Sequence, residues 1–257
     1  MNVIGIHCSG VLSSACLISN GKLIYGCCEE RFSKIKNDGN FPILTIRHIL
    51  KKFKLKLNNI DTFAIGWNAG ENISNRFRSK FSTFDRYPGD LLSAVPNYLT
   101  TLIEKKKISQ SAISFLGDFK SKIIFVDHHT SHARLGIENS KFKDALIFST
   151  DAWSESKCTV IYEFKNDKLK NIDSFFFPNS IGCFYGAITN FLGFTPLSDE
   201  WKVMGMSAYG NYKKVNKKFF DIIKLLPNGG YQLDLKYFDH YNYETNNWYS
   251  NNLTKII

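Results

Sequence analysis

Long apolar runs, paired cysteines, histidine and negative charge are all in short supply in this chain, and each shortage removes a class of function. No stretch approaches the roughly 20 apolar residues of a membrane-spanning helix, and the opening Met1-Asn2-Val3-Ile4-Gly5-Ile6 runs straight into a strand-like segment, without the basic and apolar regions of a secretory signal. The six cysteines (Cys8, Cys16, Cys27, Cys28, Cys158, Cys183) contain no C-x-x-C pair and fall mostly in strand-like runs. Reduced thiols packed as small apolar groups, in a cytoplasmic protein, are the expectation. Acidic residues number 23 against 33 basic ones, giving a formal charge of +10 over 257 residues. The lysines are spread (Lys51-Lys52, Lys105-Lys106-Lys107, Lys213-Lys214, Lys217-Lys218) rather than gathered in one stripe. Solvated helix faces account for them, with attraction of an anionic substrate or nucleic acid as the alternative.

Histidine is scarce too, and its placement is uneven. Three of the six histidines lie within Asp127-His128-His129-Thr130-Ser131-His132-Ala133. The preceding Lys122-Ile123-Ile124-Phe125-Val126 is β-branched and apolar, a buried strand, and Ala133 to Glu138 has helix-forming composition. A spacing of four puts His128 and His132 on one helical face. Two neutral imidazoles there can hold one divalent metal; a hydrogen-bonded or helix-capping histidine cluster is the other reading of that spacing.

In chain order, Val3 to Cys8, Ser14 to Ser19 and Lys22 to Cys28 read as three strands joined by a Ser9–Ser13 turn and an Asn20-Gly21 hairpin. A helix follows from Pro42 to about Phe53, with Ile43, Ile46, Ile49, Leu50 and Phe53 on its apolar face. Asp61 to Trp67 is a further strand, and residues 69–120 read as an insertion. The opening pattern then repeats: Ala145 to Thr150, Cys158 to Phe164 and Leu169 to Phe177 are strands, with Asp151-Ala152-Trp153-Ser154-Glu155 and Lys165-Asn166-Asp167 as turns. Ile181 to Leu192 is a helix. Two meanders, each followed by helices, suggest a duplicated α/β architecture whose first turns, rich in backbone N–H groups, suit phosphate. Beyond Gly210 the pattern predicts one lysine-rich helix (Lys213 to about Leu226), a Pro227-Asn228-Gly229-Gly230 turn, and an aromatic, Asn-rich tail that leaves apolar surface exposed. Tyr185 and Phe191 read as core aromatics.

Four stretches together resemble one family, the O-carbamoyltransferases of nodulation-factor and antibiotic biosynthesis. They are Ile4-Gly5-Ile6 … Ser13-Ser14-Ala15-Cys16-Leu17 with Glu29-Glu30-Arg31-Phe32 and Phe41-Pro42; the histidine motif; Asp151-Ala152-Trp153-Ser154-Glu155; and Ser180-Ile181-Gly182 … Tyr185 … Leu192-Gly193-Phe194 … Glu200-Trp201-Lys202-Val203-Met204-Gly205-Met206-Ser207-Ala208-Tyr209-Gly210. The resemblance implies a duplicated actin-like (ribonuclease H-like) nucleotide-binding fold of the α/β class, with residues 1–143 as the first subdomain and 144–257 as the start of a second, incomplete one. It also implies the chemistry: carbamoyl phosphate and ATP give a carbamoyl-adenylate on a YrdC-like domain absent here, and the actin-like domain passes the carbamoyl group to a small-molecule hydroxyl. On this likeness a divalent metal, Fe(II), is held by His128 and His132 with a later carboxylate. Asp151, Glu155 and Lys202 act on acceptor or phosphate, and Ser13, Ser14, Gly182 and Gly205 line the phosphate. The expected partners are the acceptor and a separate C-terminal half or YrdC-like chain, with no membrane and no nucleic acid. The sequence departs from the family pattern at Leu12, where the family has Asp, and at Ala152 and Ser154, where it has glycine. Two readings follow: a carbamoyltransferase acting with further sequence, or a non-catalytic remnant that binds a ligand or partner.

Overall fold

The computed structural model describes residues 1–8, 12–67, 123–214, 216–242 and 246–257. The expected insertion at 69–120 and part of the first turn, Ser9 to Val11, lie outside the described residues.

The chain opens with β1 (Asn2–His7), β2 (Ser14–Ser19) and β3 (Lys22–Cys28), an antiparallel meander. Its β2–β3 hairpin turns through Asn20 and Gly21 at φ of 49° and 77°, the left-handed pair that matches the twist of the flanking strands. A one-turn helix, α1 (Glu30–Ser33), leads to α2 (Ile43–Lys52). Two short strands, β4 (Thr62–Ile65) and β5 (Ile123–Phe125), then add in parallel, giving the order β3-β2-β1-β4-β5. Alternation sends Ile4, Ile6, Ala15, Leu17, Phe63 and Ile65 to one buried face, where Ile46 and Ile49 of α2 join them. Each isoleucine, leucine or phenylalanine side chain removed from water contributes about 1.5–3 kcal/mol before entropy is counted. The helix stripe anticipated at Ile43, Ile46, Ile49, Leu50 and Phe53 is the stripe that packs.

After β5 comes α3 (His128–Asn139). The second meander is β6 (Ala145–Thr150), β7 (Lys157–Lys165) and β8 (Lys168–Phe176), antiparallel throughout. It is followed by α4 (Ile181–Phe191), α5 (Glu200–Met206), α6 (Asn216–Ile222) and the hairpin β9 (Ile223–Leu225) with β10 (Tyr231–Leu233). Two compact units result, and the division falls inside α3, between His132 and Ala133; the sequence reading places it after residue 143.

The second unit corrects three expectations. The lysine-rich stretch is not one helix. A 3-10 turn (Tyr212–Lys214) and α6 occupy its first part, and Ile223 to Leu225 leave as a strand because Tyr231 to Leu233 pair with them across a turn closed at Gly229, φ 83°. The aromatic tail is not loose: Leu233, Tyr237, Phe238, Trp248 and Leu253 are buried and form one cluster with Cys183 and Ala187 of α4. Tyr185 is not core; it is exposed on α4, whereas Phe191 packs on the edge of that cluster. Among the described residues no helix is long and apolar enough to cross a membrane.

Candidate functional site

In the first unit the site grows from the ends of three neighbouring parallel strands. Gly66 donates its N–H to Ile6 O (3.0 Å) and Val126 N–H donates to Ile65 O (2.8 Å), so β1, β4 and β5 end together. Asp127 follows and caps α3. Its Oδ1 accepts from the backbone N–H of Thr130 (2.8 Å) and from the Thr130 hydroxyl (2.8 Å), satisfying a donor that the helix leaves open. The cap is thus the aspartate, and the histidines are left to other work. One helical turn brings His128 Nε2 and His132 Nε2 to 3.1 Å, their rings at right angles. Two ligands in adjacent positions on one ion, each about 2.1 Å from it, lie about 3 Å apart, so this spacing suits a shared metal. His128 Nδ1 meets the Gly66 carbonyl oxygen at 3.3 Å. With Nδ1–H donating there, Nε2 presents a lone pair, the usual state of a metal-ligating imidazole. The residues therefore fit a divalent ion. His129 is fully buried, and His132 is exposed.

Two further residues stand beside His128 that sequence reasoning did not pick out. Trp67 lies edge-on to its ring at 5.1 Å, and His7 is 6.1 Å away. Only the end-of-strand position of both could have hinted at this. His7 also pairs in register with Ser14, the first residue of β2. Ser13, just before it, is fully buried, and its Oγ has no hydrogen-bond partner among the described residues. Its backbone is held by Ser13 N–H to Asp38 O (2.7 Å) and by Glu29 N–H to Ser13 O (2.8 Å). Leu12, at the family's Asp position, takes a left-handed φ of 52°.

Glu29 is the other residue whose role was not anticipated. It is 3% exposed, and its carboxylate accepts from Leu44 N–H (2.9 Å), Thr45 N–H (2.8 Å) and the Thr45 hydroxyl (2.6 Å). Helix α2 has no side-chain cap of its own at Pro42, so a carboxylate from the end of the meander closes its N-terminus and meets the positive end of its dipole. The missing local cap was the available signal; the distant partner was not.

In the second unit the predicted residues divide into those that build the turn after β6 and those that lie on α5. Asp151 N–H donates to Cys158 O (2.8 Å), and its own Oδ1 accepts from Ala152 N–H (2.7 Å). Ser154 N–H donates to Lys157 O, closing the turn at the base of the β6–β7 ladder. Ala152 and Ser154, in place of family glycines, are not among the residues with positive φ, so their side chains impose no strain. Glu155 is buried at 3%. The start of α4 presses on this turn. Ser180 Oγ lies 2.6 Å from Ala152 O and 3.1 Å from Asp151 O while accepting from Cys183 N–H (3.0 Å). A Cβ on Gly182 would come 2.6 Å from Ala152 N and from Asp151 C and O. Gly205, by contrast, has open space around its α-carbon on α5. Lys202 pairs with Asp199 at 2.8 Å and lies over the rings of Phe194 and Trp201. Under the turn, burial pushes the Cys158 thiol up to about 12 and also raises the Tyr231 hydroxyl. Neither is poised to lose a proton at neutral pH.

The chain is 27% identical over 243 residues to an uncharacterized protein of Synechocystis, covering 93% of this chain and 40% of that one. It is 28% identical over 226 residues to an uncharacterized protein of Methanocaldococcus jannaschii (87% and 36%), and 27% identical over 222 residues to the nodulation protein NolNO of Sinorhizobium fredii (86% and 31%). It thus spans about two fifths or less of the length of these curated relatives. Among solved structures it is similar to YeaZ from Pseudomonas aeruginosa (TM-score 0.36, 11% identity, 69% of this chain and 68% of that one). It is also similar to an Aquifex aeolicus member of the Ppx/GppA family (TM-score 0.33, 14% identity, 87% and 63%). The strand order and the duplicated meander described above make the chain a mixed α/β protein. Residues 3–255 match the family model described as carbamoyltransferase N-terminus, and the chain belongs to that family.

Proposed function

We propose that this chain carries the transfer site of an O-carbamoyltransferase. A carbamoyl group passes from carbamoyl-adenylate, made from carbamoyl phosphate and ATP by a YrdC-like partner, to the hydroxyl of a small-molecule acceptor. The observation that carries the reading is the histidine pair: two Nε2 atoms 3.1 Å apart on one helical turn, one ring fixed by a backbone carbonyl. Fe(II) bound by His128 and His132 would supply Lewis-acid polarisation of the carbamoyl carbonyl. In the transfer the acceptor oxygen bonds to the carbamoyl carbon, the bond from that carbon to the phosphate oxygen breaks, and AMP leaves. The acceptor proton goes to a carboxylate. Asp151 is assigned that role because it is only partly buried, whereas Glu155 is 3% exposed. On the family pattern Ser13, Ser14 and Gly182 line the adenylate phosphate, and Lys202 offsets its charge. Gly205 remains part of this reading through the sequence pattern alone.

Anaerobic titration of the purified chain with Fe(II), beside a His132→Ala variant, tests the reading. Tight one-to-one binding that the variant loses is expected. Weak binding of equal strength in both proteins would sink it.

A further inference from the structure

We propose that the strand end Gly66-Trp67 is a positioning device for His128, with Trp67 as its working side chain. The inference rests on the metal reading above and adds residues that neither the histidine motif nor the spacing identifies.

Gly66 is pinned by its bond to Ile6 O, and β4 is tied to the segment after β5 by Val126 N–H to Ile65 O. It is also pressed against the first turn of α3, where a Cβ would come 3.3 Å from Ser131 Oγ. Its carbonyl therefore points at a fixed place, and His128 Nδ1 meets it at 3.3 Å. That bond selects the tautomer with the proton on Nδ1 and leaves Nε2 as acceptor. One bond still allows the ring to rotate about it. Trp67 removes that freedom. Its indole is 7% exposed and lies at 73° to the imidazole, with centroids 5.1 Å apart, an edge-to-face arrangement. His7, at 6.1 Å and 37°, closes another side. His128 is itself 7% exposed. The ring is thus fixed in tautomer and in plane before any ligand arrives, which lowers the ordering cost of binding. Groups that orient a ligating histidine in this way typically change metal affinity by about 10–100-fold when removed.

Two measurements test this. Nitrogen-15 NMR of the metal-free wild-type chain at about pH 8 should show His128 as the Nδ1–H tautomer; the Nε2–H tautomer overturns the proposal. Anaerobic Fe(II) titration of Trp67→Leu and Trp67→Phe, each with its urea midpoint measured, should show affinity about tenfold weaker in the leucine variant and within about threefold of wild type in the phenylalanine variant. Unchanged affinity in Trp67→Leu overturns the role of the indole, whereas loss of affinity restored by phenylalanine supports it. Should Trp67→Leu fail to fold, Trp67→Met, another apolar side chain without an aromatic ring, takes its place under the same tenfold criterion, and the wild-type tautomer tests the Gly66 bond. A wild-type chain that keeps the Nδ1–H tautomer yet binds no metal overturns the metal reading and leaves the positioning of the ring standing.

Discussion

The two meanders share a sequence pattern and a ladder, but they are bolted to their helices in opposite ways. In the first, the strand side supplies the bolt: Glu29 reaches from the end of β3 to the bare N-terminus of α2. In the second, the helix side supplies it: Ser180, at the start of α4, reaches back to carbonyls of the turn after β6, and Gly182 lets the helix come within backbone contact. Their faces differ as well. Ile4, Ile6, Ala15 and Leu17 of the first lie under α2. In the second, Val160 and Tyr162 of β7 are covered by Ala133, while Leu146 and Phe148 on the opposite face of β6 are 74% and 58% exposed. Alternation builds the ladder in both; which face is buried depends on the helix that covers it, α2 after the first meander and α3 before the second.

Gly182→Ala should break the second bolt and give the largest effect. The new methyl group would sit 2.6 Å from three backbone atoms of Asp151 and Ala152, none of which can rotate away. A loss of about 3 kcal/mol is expected from urea unfolding. Gly205→Ala is the control with opposite sign, because nothing lies within 4 Å of the added carbon on α5. A gain of about 0.5–1 kcal/mol is expected there. Equal effects in the two variants would remove the close approach as an explanation.

Glu29→Ala breaks the first bolt and should cost about 2 kcal/mol, because it leaves two helix N–H groups and a buried hydroxyl without their acceptor. Glu29→Gln keeps one acceptor oxygen and should cost less. If both variants unfold at the wild-type urea concentration, Glu29 is not the cap.

Much of this was legible in local residues. The Asn20-Gly21 turn, the α2 stripe and the His128–His132 spacing are local patterns, and the chain adopts them within a residue or two. What was hidden depends on partners distant in the chain. Ile223 to Leu225 become a strand only because Tyr231 to Leu233 pair with them, and Trp248 is buried only because α4 has Gly186 where the indole must lie. The caps show the same limit: Asp127 acts three residues away, but Glu29 acts across 15 and 16. The site was half legible for this reason, since the histidines are neighbours in sequence while Gly66 is 62 residues from His128.

A milder contrast comes from pH. Cys158 is fully buried in β7, and burial raises its thiol from 9.0 to about 12. The folded state then keeps a proton that the unfolded chain loses above pH 9. Stability is fully present below that pH and falls as pH rises toward 12, by about 1.4 kcal/mol per unit for this one group. Cys158→Ala should flatten that part of the slope in urea midpoints measured between pH 9 and 11, and an unchanged slope would show that the thiol is not responsible.

The smallest effect on stability is expected at Lys202, and it separates a structural role from a chemical one. Its side chain is 38% exposed and its ammonium is paired with Asp199 three residues earlier, a surface arrangement worth about 0.5 kcal/mol or less. Lys202→Met keeps the apolar stem and should leave the urea midpoint nearly unchanged. If the lysine also offsets phosphate charge, AMP affinity should fall about tenfold in the same variant, since a hydrogen bond to a charged group contributes about 1.5–3 kcal/mol. Unchanged AMP affinity would assign Lys202 to the surface alone and move the search for a phosphate cation to the first unit.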